Sequence, residues 1–255
     1  MSIVENGHYH YPSKGVRAGR PNGCVESPLM ISFKGAHYPK DVILFAVFFY
    51  VRYGVSYRDL EEIMVERGVS VDHTTLSRWV ARYSCAIAEA ARRRKAPCDC
   101  SWRMDETYIK VKGTWVYLYR AVDKHGKTLD FMLSRRRNKP AATKFFARML
   151  EVNGLPRKIV IDKSGANTAG INAINSMLKG FGCPIPIEMA RCKYLNNIVE
   201  QDHRFIKRRT RLMLGFKSFT SATSTLEGIE VANMIRKGQL RPGLCPFRQF
   251  AELAA

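Results

Sequence analysis

The sequence predicts an α/β chain in which an all-helical N-terminal segment precedes a sheet, an antiparallel meander that feeds parallel strands. Three observations predict it. Apolar residues recur at helical spacing from Pro39 to about Arg94. Three runs rich in Tyr, Val, Thr and Trp follow, divided by short turns. Beyond them helical and extended segments alternate. No internal repeat or low-complexity block interrupts this order.

Residues 1–29 are rich in Gly, Pro, Tyr, His and Arg without periodicity and read as a flexible arm. Pro39 suits the first turn of a helix that runs through the apolar stretch Val42 to Val51. That stretch is about half the length of a membrane span, so it reads as a buried helix. Gly54 breaks it. Ser56 and Asp59 form a capping box for a second helix, 57–67, which Gly68 ends. Asp72 caps a third, 73–83. Helix, glycine turn, helix is the helix-turn-helix order. Its third helix would offer His73, Thr74, Thr75, Ser77, Arg78 and Arg82 to DNA, with Leu76, Trp79 and Val80 packed behind. An ordinary three-helix bundle is the alternative. A basic linker at 92–100, with Pro97 barring helix, marks a domain boundary.

Strands are expected at 104–112, 114–122 and 128–134, with turns at Gly113 and 123–126. A helix at 139–152 ends before Gly154 and Pro156. A short apolar strand, 158–161, then a helix, 166–178, and an extended piece, 185–189, lead to a long basic helix at 193–214.

Lys and Arg outnumber Asp and Glu by 42 to 22, for a formal charge of +20 and a pI near 9.9. Such an excess implies a polyanionic partner, most often nucleic acid. The seven cysteines (24, 85, 98, 100, 183, 192, 245) show no paired CxxC spacing, which argues against zinc and for free thiols in a reducing compartment. No signal peptide is read, so a cytoplasmic, nucleoid-associated protein without a membrane role is expected.

Against this basic background three acids stand out: Asp105, Asp162 and Glu200. Asp162 ends the strand Ile159-Val160-Ile161, the place where open α/β sheets bind ligands. Ser164 and Asn167 are better placed than Asp162 to cap the next helix. Asp105 is followed by Glu106, and successive strand residues face opposite ways, so the strand pattern alone offers either. Asp105 shares parity with Ile109 and Val111, a packed face, and is the better metal ligand. Glu106 shares parity with Lys110 and Lys112. On the basic helix, Asn196, Asn197, Glu200, His203, Arg204, Lys207 and Arg211 form one face, with Leu195, Ile198, Val199, Phe205, Ile206 and Leu212 expected to dock on the sheet. An Arg204 pair at i, i+4 is the simpler account of Glu200. Arg135, Arg136, Arg137 and Lys139 are a second candidate DNA contact or a solvated hairpin end. Buried carboxylates are costly without a cation, so a divalent-metal site acting on a phosphodiester is the reading.

The segments Met104-Asp105-Glu106-Thr107-Tyr108, Lys193 to Glu200 and Leu214-Gly215-Phe216-Lys217-Ser218 resemble the DDE transposases of bacterial insertion sequences, in particular the IS-six family. The similarity runs from about Phe33 to Gln239 and includes Val71 to Thr75 and Tyr117 to Asp123. It departs from the family's pattern in the 37 residues between Asp162 and Glu200, a few more than usual, and in Ile-Asp-Lys-Ser-Gly around Asp162. The resemblance implies a ribonuclease-H-like mixed sheet with helices on both faces behind a helix-turn-helix. The implied division is an arm at 1–29, a DNA-binding domain at 30–96, a catalytic domain at 97–240 and a tail at 241–255. It maps the catalytic and metal-binding acids onto Asp105, Asp162 and Glu200, with Lys207 as a basic partner and Arg204 and Lys207 on DNA phosphates. It implies two Mg2+ ions, with Mn2+ as a substitute. It further implies binding to terminal inverted repeats and target DNA, 3′-end cleavage and strand transfer through a cointegrate, and a homodimer or higher homo-oligomer. A helix-turn-helix regulator and a non-transposing nuclease are the rival readings.

Overall fold

A computed structural model describes residues 31–162, 164–182, 186–213 and 215–255, the side chains of 193 and 194 excepted. The arm expected at 1–29 lies outside them. Three helices come first: α1 (Lys40–Arg52), α2 (Tyr57–Glu66) and α3 (His73–Arg94). The capping box forms as read, with the Asp59 N–H donating to the Ser56 hydroxyl and the Ser56 N–H to the Asp59 carboxylate. At α3 the Asp72 carboxylate accepts the Thr74 and Thr75 N–H groups. The helix outlasts the expected 73–83 because Tyr83, Ile87, Ala88 and Ala91 continue its buried stripe.

The sheet holds β1 (Ser101–Val111), β2 (Thr114–Asp123), β3 (Thr128–Ser134), β4 (Lys158–Ile161) and β5 (Glu188–Arg191) in the order β3-β2-β1-β4-β5. β1 to β3 form an antiparallel meander, and β4 and β5 run parallel to β1. β5 falls later than the expected 185–189, of which Ile185 is not among the described residues. Helices α4 (Lys139–Asn153) and α5 (Gly165–Gly180) cover one face, where Phe145, Phe146 and Ile171 meet Trp102, Met104 and Tyr119. The other face, through Ile109, Val111, Val116, Leu118 and Phe131, joins the core of the helical segment. This is the ribonuclease-H-like arrangement, a mixed sheet with helices on both sides.

Helix α7 (Phe219–Arg236) welds the two parts. It is buried along most of its circumference, against α1 and α3. The tail expected at 241–255 contains α8 (Pro246–Glu252), whose Phe250 is fully buried beside Phe48 of α1. Close approach at α7 depends on Gly228, where an added Cβ would stand 2.6 Å from Val51 Cγ1 and 2.8 Å from Ser84 Oγ. Gly228→Ala is therefore expected to lower stability by about 1–3 kcal/mol through overpacking, read as a lower urea midpoint at unchanged slope.

A buried ionic network ties the sheet to this layer. The Arg120 guanidinium on β2, fully buried, donates from Nη1 to Asp202 Oδ2 at 2.9 Å and pairs with Glu230 through Nη2. Lys237 pairs with Asp202 and donates to the Thr128 hydroxyl at 3.1 Å. Burial, opposed by Asp202, pushes the Lys237 ammonium down to about 8. In the unfolded chain a lysine titrates near 10.4, so between those values the unfolded state binds more protons. Stability should then rise with pH from about 8 towards 10. Urea midpoints across that range should show the rise, and Lys237→Met should flatten it.

The basic helix starts as a 3-10 turn, Lys193–Asn196, and continues as α6, Asn197–Leu212. Its expected faces need correction. The buried stripe is Val199, Asp202, His203 and Ile206, at i, i+3, i+4 and i+7. Leu195 and Leu212, assigned to the docking face, are 41% and 54% exposed, whereas Asn196 and His203, assigned to the open face, are buried. Asp202 can enter the stripe because Arg120 and Lys237 neutralise it.

Candidate functional site

β4 is short. It pairs with β1 only as far as Arg103, so among the described residues the β4-side edge of β1 has no strand partner from Met104 until Val111 bridges Phe216. The acids gather at this opening. One oxygen each from Asp105, Glu106 and Asp162 lies within 4.8 Å of the other two. Asp105 and Glu106 both reach the cluster, in different settings. The Asp105 side chain is 20% exposed and stands 3.4 Å from Nε2 of buried His203. Burial pushes the His203 imidazole pKa down, opposed by Asp105. The Glu106 side chain is 3% exposed, and burial raises its carboxyl pKa against the opposing pull of Asn167 and Arg137.

Asp162 leaves the end of β4 half-exposed. Its Oδ1 accepts the N–H of Ser164 at 3.0 Å; Ser164 is the N-cap residue of α5, and the helix start has no side-chain capping hydrogen bond. Asn167, fully buried, instead donates through Nδ2 to Glu106 Oε2 at 2.9 Å and Asp162 Oδ1 at 3.2 Å. Arg137 donates Nε to Glu106 and Nη2 to Asp162, each at 3.2 Å. Expected among solvated or DNA-contacting cations, it bridges two of the acids. Arg135 lies over the Phe219 ring at 4.6 Å. Arg136 and Lys139 are exposed.

Glu200 lies outside the acid cluster. It sits in the first turn of α6, half-buried, and makes no hydrogen bond or ion pair with another described residue, so an Arg204 pair does not account for it. Its helix is pinned beside β1 on both sides of it. Asn196 Nδ2 donates to the Met104 carbonyl at 3.3 Å, four residues before, and His203 meets Asp105, three residues after. That spacing puts Glu200 on the same helical face as its two anchors. Lys207, one turn past His203, is exposed and lines a cleft described below. Arg204 is exposed.

The donor set is oxygen only, partly open to solvent, and among the described residues Arg137 is the cation paired with it. These are properties of a hard-cation site, and they suit Mg2+ better than zinc.

On α3 the candidate DNA contacts are less free than the sequence suggested. The Thr74 and Thr75 hydroxyls donate to Asp72, holding its carboxyl well below the usual range, and His73 Nδ1 is 2.9 Å from Glu61 Oε2. Ser77 is half-buried, Arg78 is exposed, and Arg82 lies over the Tyr83 ring and reaches the Ser32 carbonyl at 3.5 Å. Sequence reasoning missed Glu106, Asn167, Arg137 and His203 as one assembly with the acids. The only local signal was Asp-Glu at 105–106.

Comparison with known proteins shows the family. The family model DDE_Tnp_IS240, a DDE domain, matches residues 99–239. The transposase for insertion sequence-like element IS431mec of Staphylococcus aureus is 40% identical over 210 residues, covering 82% of this chain and 90% of the relative. The transposase for insertion sequence element IS257 in transposon Tn4003, also from S. aureus, matches over the same shares at 40%. Among solved structures, the HTLV-2 integrase catalytic core domain in complex with magnesium is 14% identical, with TM-score 0.43, over 64% of this chain and 100% of its own. No described helix is long and apolar enough to cross a membrane. With the family model spanning more than half the chain and relatives this similar over most of it, the chain belongs to the DDE transposases of the IS-six family.

Proposed function

We propose that the protein binds the ends of its insertion sequence and catalyses 3′-end cleavage and strand transfer at the opening beside β4. The observation that carries this reading is the convergence of Asp105 and Asp162, from strands that meet in register only as far as Arg103, with α6 pinned alongside. Asp105, Asp162 and Glu200 would hold two Mg2+ ions, with Mn2+ as a substitute. Bound there, such ions would activate the attacking water or 3′ hydroxyl and stabilise the leaving oxygen. The chain's own part is positioning. Asn167 and Arg137 fix the rotamer of Asp162, and His203 packs on Asp105. Lys207 and Arg204 would hold backbone phosphates and oppose the charge that builds at phosphorus. Both chemical steps are phosphoryl transfers, so one site serves both, and replication across the joined strands would complete a cointegrate.

The helices of residues 30–96 would bind the terminal inverted repeats as a helix-turn-helix, with α3 in the major groove and His73, Thr74, Thr75, Ser77, Arg78 and Arg82 towards the DNA. Residues 97–240 would be the catalytic domain, and 241–255 a tail that docks through α8. Two ends must meet, which favours a homodimer or higher homo-oligomer acting on double-stranded DNA in the bacterial cytoplasm.

The test is strand transfer in solution. A duplex carrying the DNA that flanks the gene, with a free 3′ hydroxyl, is mixed with supercoiled plasmid and Mg2+. Joined product is expected from the wild type. Arg78→Ala should bind the duplex about ten-fold more weakly, a loss of about 1–3 kcal/mol if it reads a base, with Asp105, Asp162 and Glu200 untouched. Cleavage without joining would favour a nuclease. Binding without either reaction would favour a regulator.

A further inference from the structure

The open edge of β1 continues past the acids into a cleft of about 750 Å³. One wall carries Tyr108, Lys110 and Trp115 from the β1–β2 hairpin, the other Lys207 and Arg211 from α6. Trp115 is 60% exposed and Tyr108 47%, their rings edge to face at 6.5 Å, with Lys110 Nζ 5.8 Å from the Trp115 ring centre. Large exposed rings are normally a cost, and here they stand beside cations with no acidic side chain among the described residues of the lining. The cleft lies further along β1 from the acid cluster: Tyr108 is two residues past Glu106 on the same face of the strand, and Lys207 lies one turn beyond His203, whose Nε2 is 3.4 Å from Asp105.

We propose that this cleft binds an unpaired DNA segment, with bases stacked on Trp115 and Tyr108 and backbone phosphates met by Lys110, Lys207 and Arg211. The inference rests on the DNA-end reading above and adds that the substrate is melted next to the scissile bond. Intact duplex would engage the cations but leave the ring faces unused, because its bases are already stacked. Single strands use both, aromatic faces for bases and a positive groove for phosphates. A second copy of this chain is the competing occupant.

The experiment uses the full-length chain with a fluorescein-labelled oligothymidylate and with a duplex of equal length, followed by anisotropy. Trp115→Ala, at an exposed position, should weaken oligothymidylate binding about ten-fold and duplex binding by less than about two-fold. Trp115→Phe should restore most of the loss. Oligothymidylate should also quench tryptophan emission in the wild type, since Trp79 and Trp102 are only 6% and 1% exposed. Equal weakening of both ligands, or none, overturns the proposal. So does a Trp115→Ala chain that loses self-association in sedimentation while its single-strand affinity holds, which would make the face a contact between copies. If the wild type binds neither probe, the DNA-end reading falls as well. If it binds duplex and Trp115→Ala changes nothing, only the present inference falls.

Discussion

Asp162→Asn is expected to reduce strand joining by on the order of 10³-fold or more while leaving end binding within about two-fold. Asparagine keeps the shape and can still accept the Ser164 N–H, so the entry to α5 survives. What is lost is the negative charge at the opening, on which a cation would depend. Asp162 is 36% exposed, and its pair with Arg137 is correspondingly screened. The stability cost should stay below about 1 kcal/mol. Activity and folding therefore separate at this residue, and comparing joining rate with urea midpoint reads both. Asp105→Asn should behave alike in the reaction. A variant that joined normally at either position would remove that acid from the site.

Arg120→Met should be the most destabilising single change outside the apolar core, by about 3–5 kcal/mol. The substitution leaves Asp202 and Glu230 buried without their shared cation, and Lys237 reaches only Asp202. The energetic asymmetry is the point. Assembling four charged groups in the interior gains little, because their desolvation offsets their attraction, but removing one strands the rest. Because the network links β2, α6 and α7, the loss should also loosen the helix that carries Glu200, so joining should fall with stability. Replacing Arg120 and Glu230 together with apolar residues should recover part of the loss, and chemical denaturation of the single and double variants measures it.

The features legible in the sequence were those set by neighbours along the chain. The Ser56 and Asp72 caps, the turn at Gly113 and the three-strand meander need only local chemistry, and each is found where the residues put it. Asp162 was recognisable because three apolar residues lead directly to it. What escaped depends on partners far away. Asp202 was assigned to neither face of the basic helix, since nothing near it announces Arg120, 82 residues earlier. Glu106 looked exposed by its parity with Lys110, yet Arg137 and Asn167, 31 and 61 residues on, bury it beside Asp162. A basic face on α6 likewise concealed His203, whose burial against Asp105 follows from how the helix docks on β1. Glu200 stands between Asn196 and His203, the two residues that anchor its helix to β1.

The direct measurement is cointegrate formation in cells, with the gene and its flanking DNA on a donor plasmid and wild type compared with Glu200→Gln at equal protein level. The expectation is joined donor and target plasmids with the wild type and none with Glu200→Gln, while both proteins occupy the flanking DNA. Joined plasmids at the wild-type frequency from Glu200→Gln would contradict it, and would leave the cluster of Asp105, Glu106 and Asp162 as the acids to which the chemistry must be assigned.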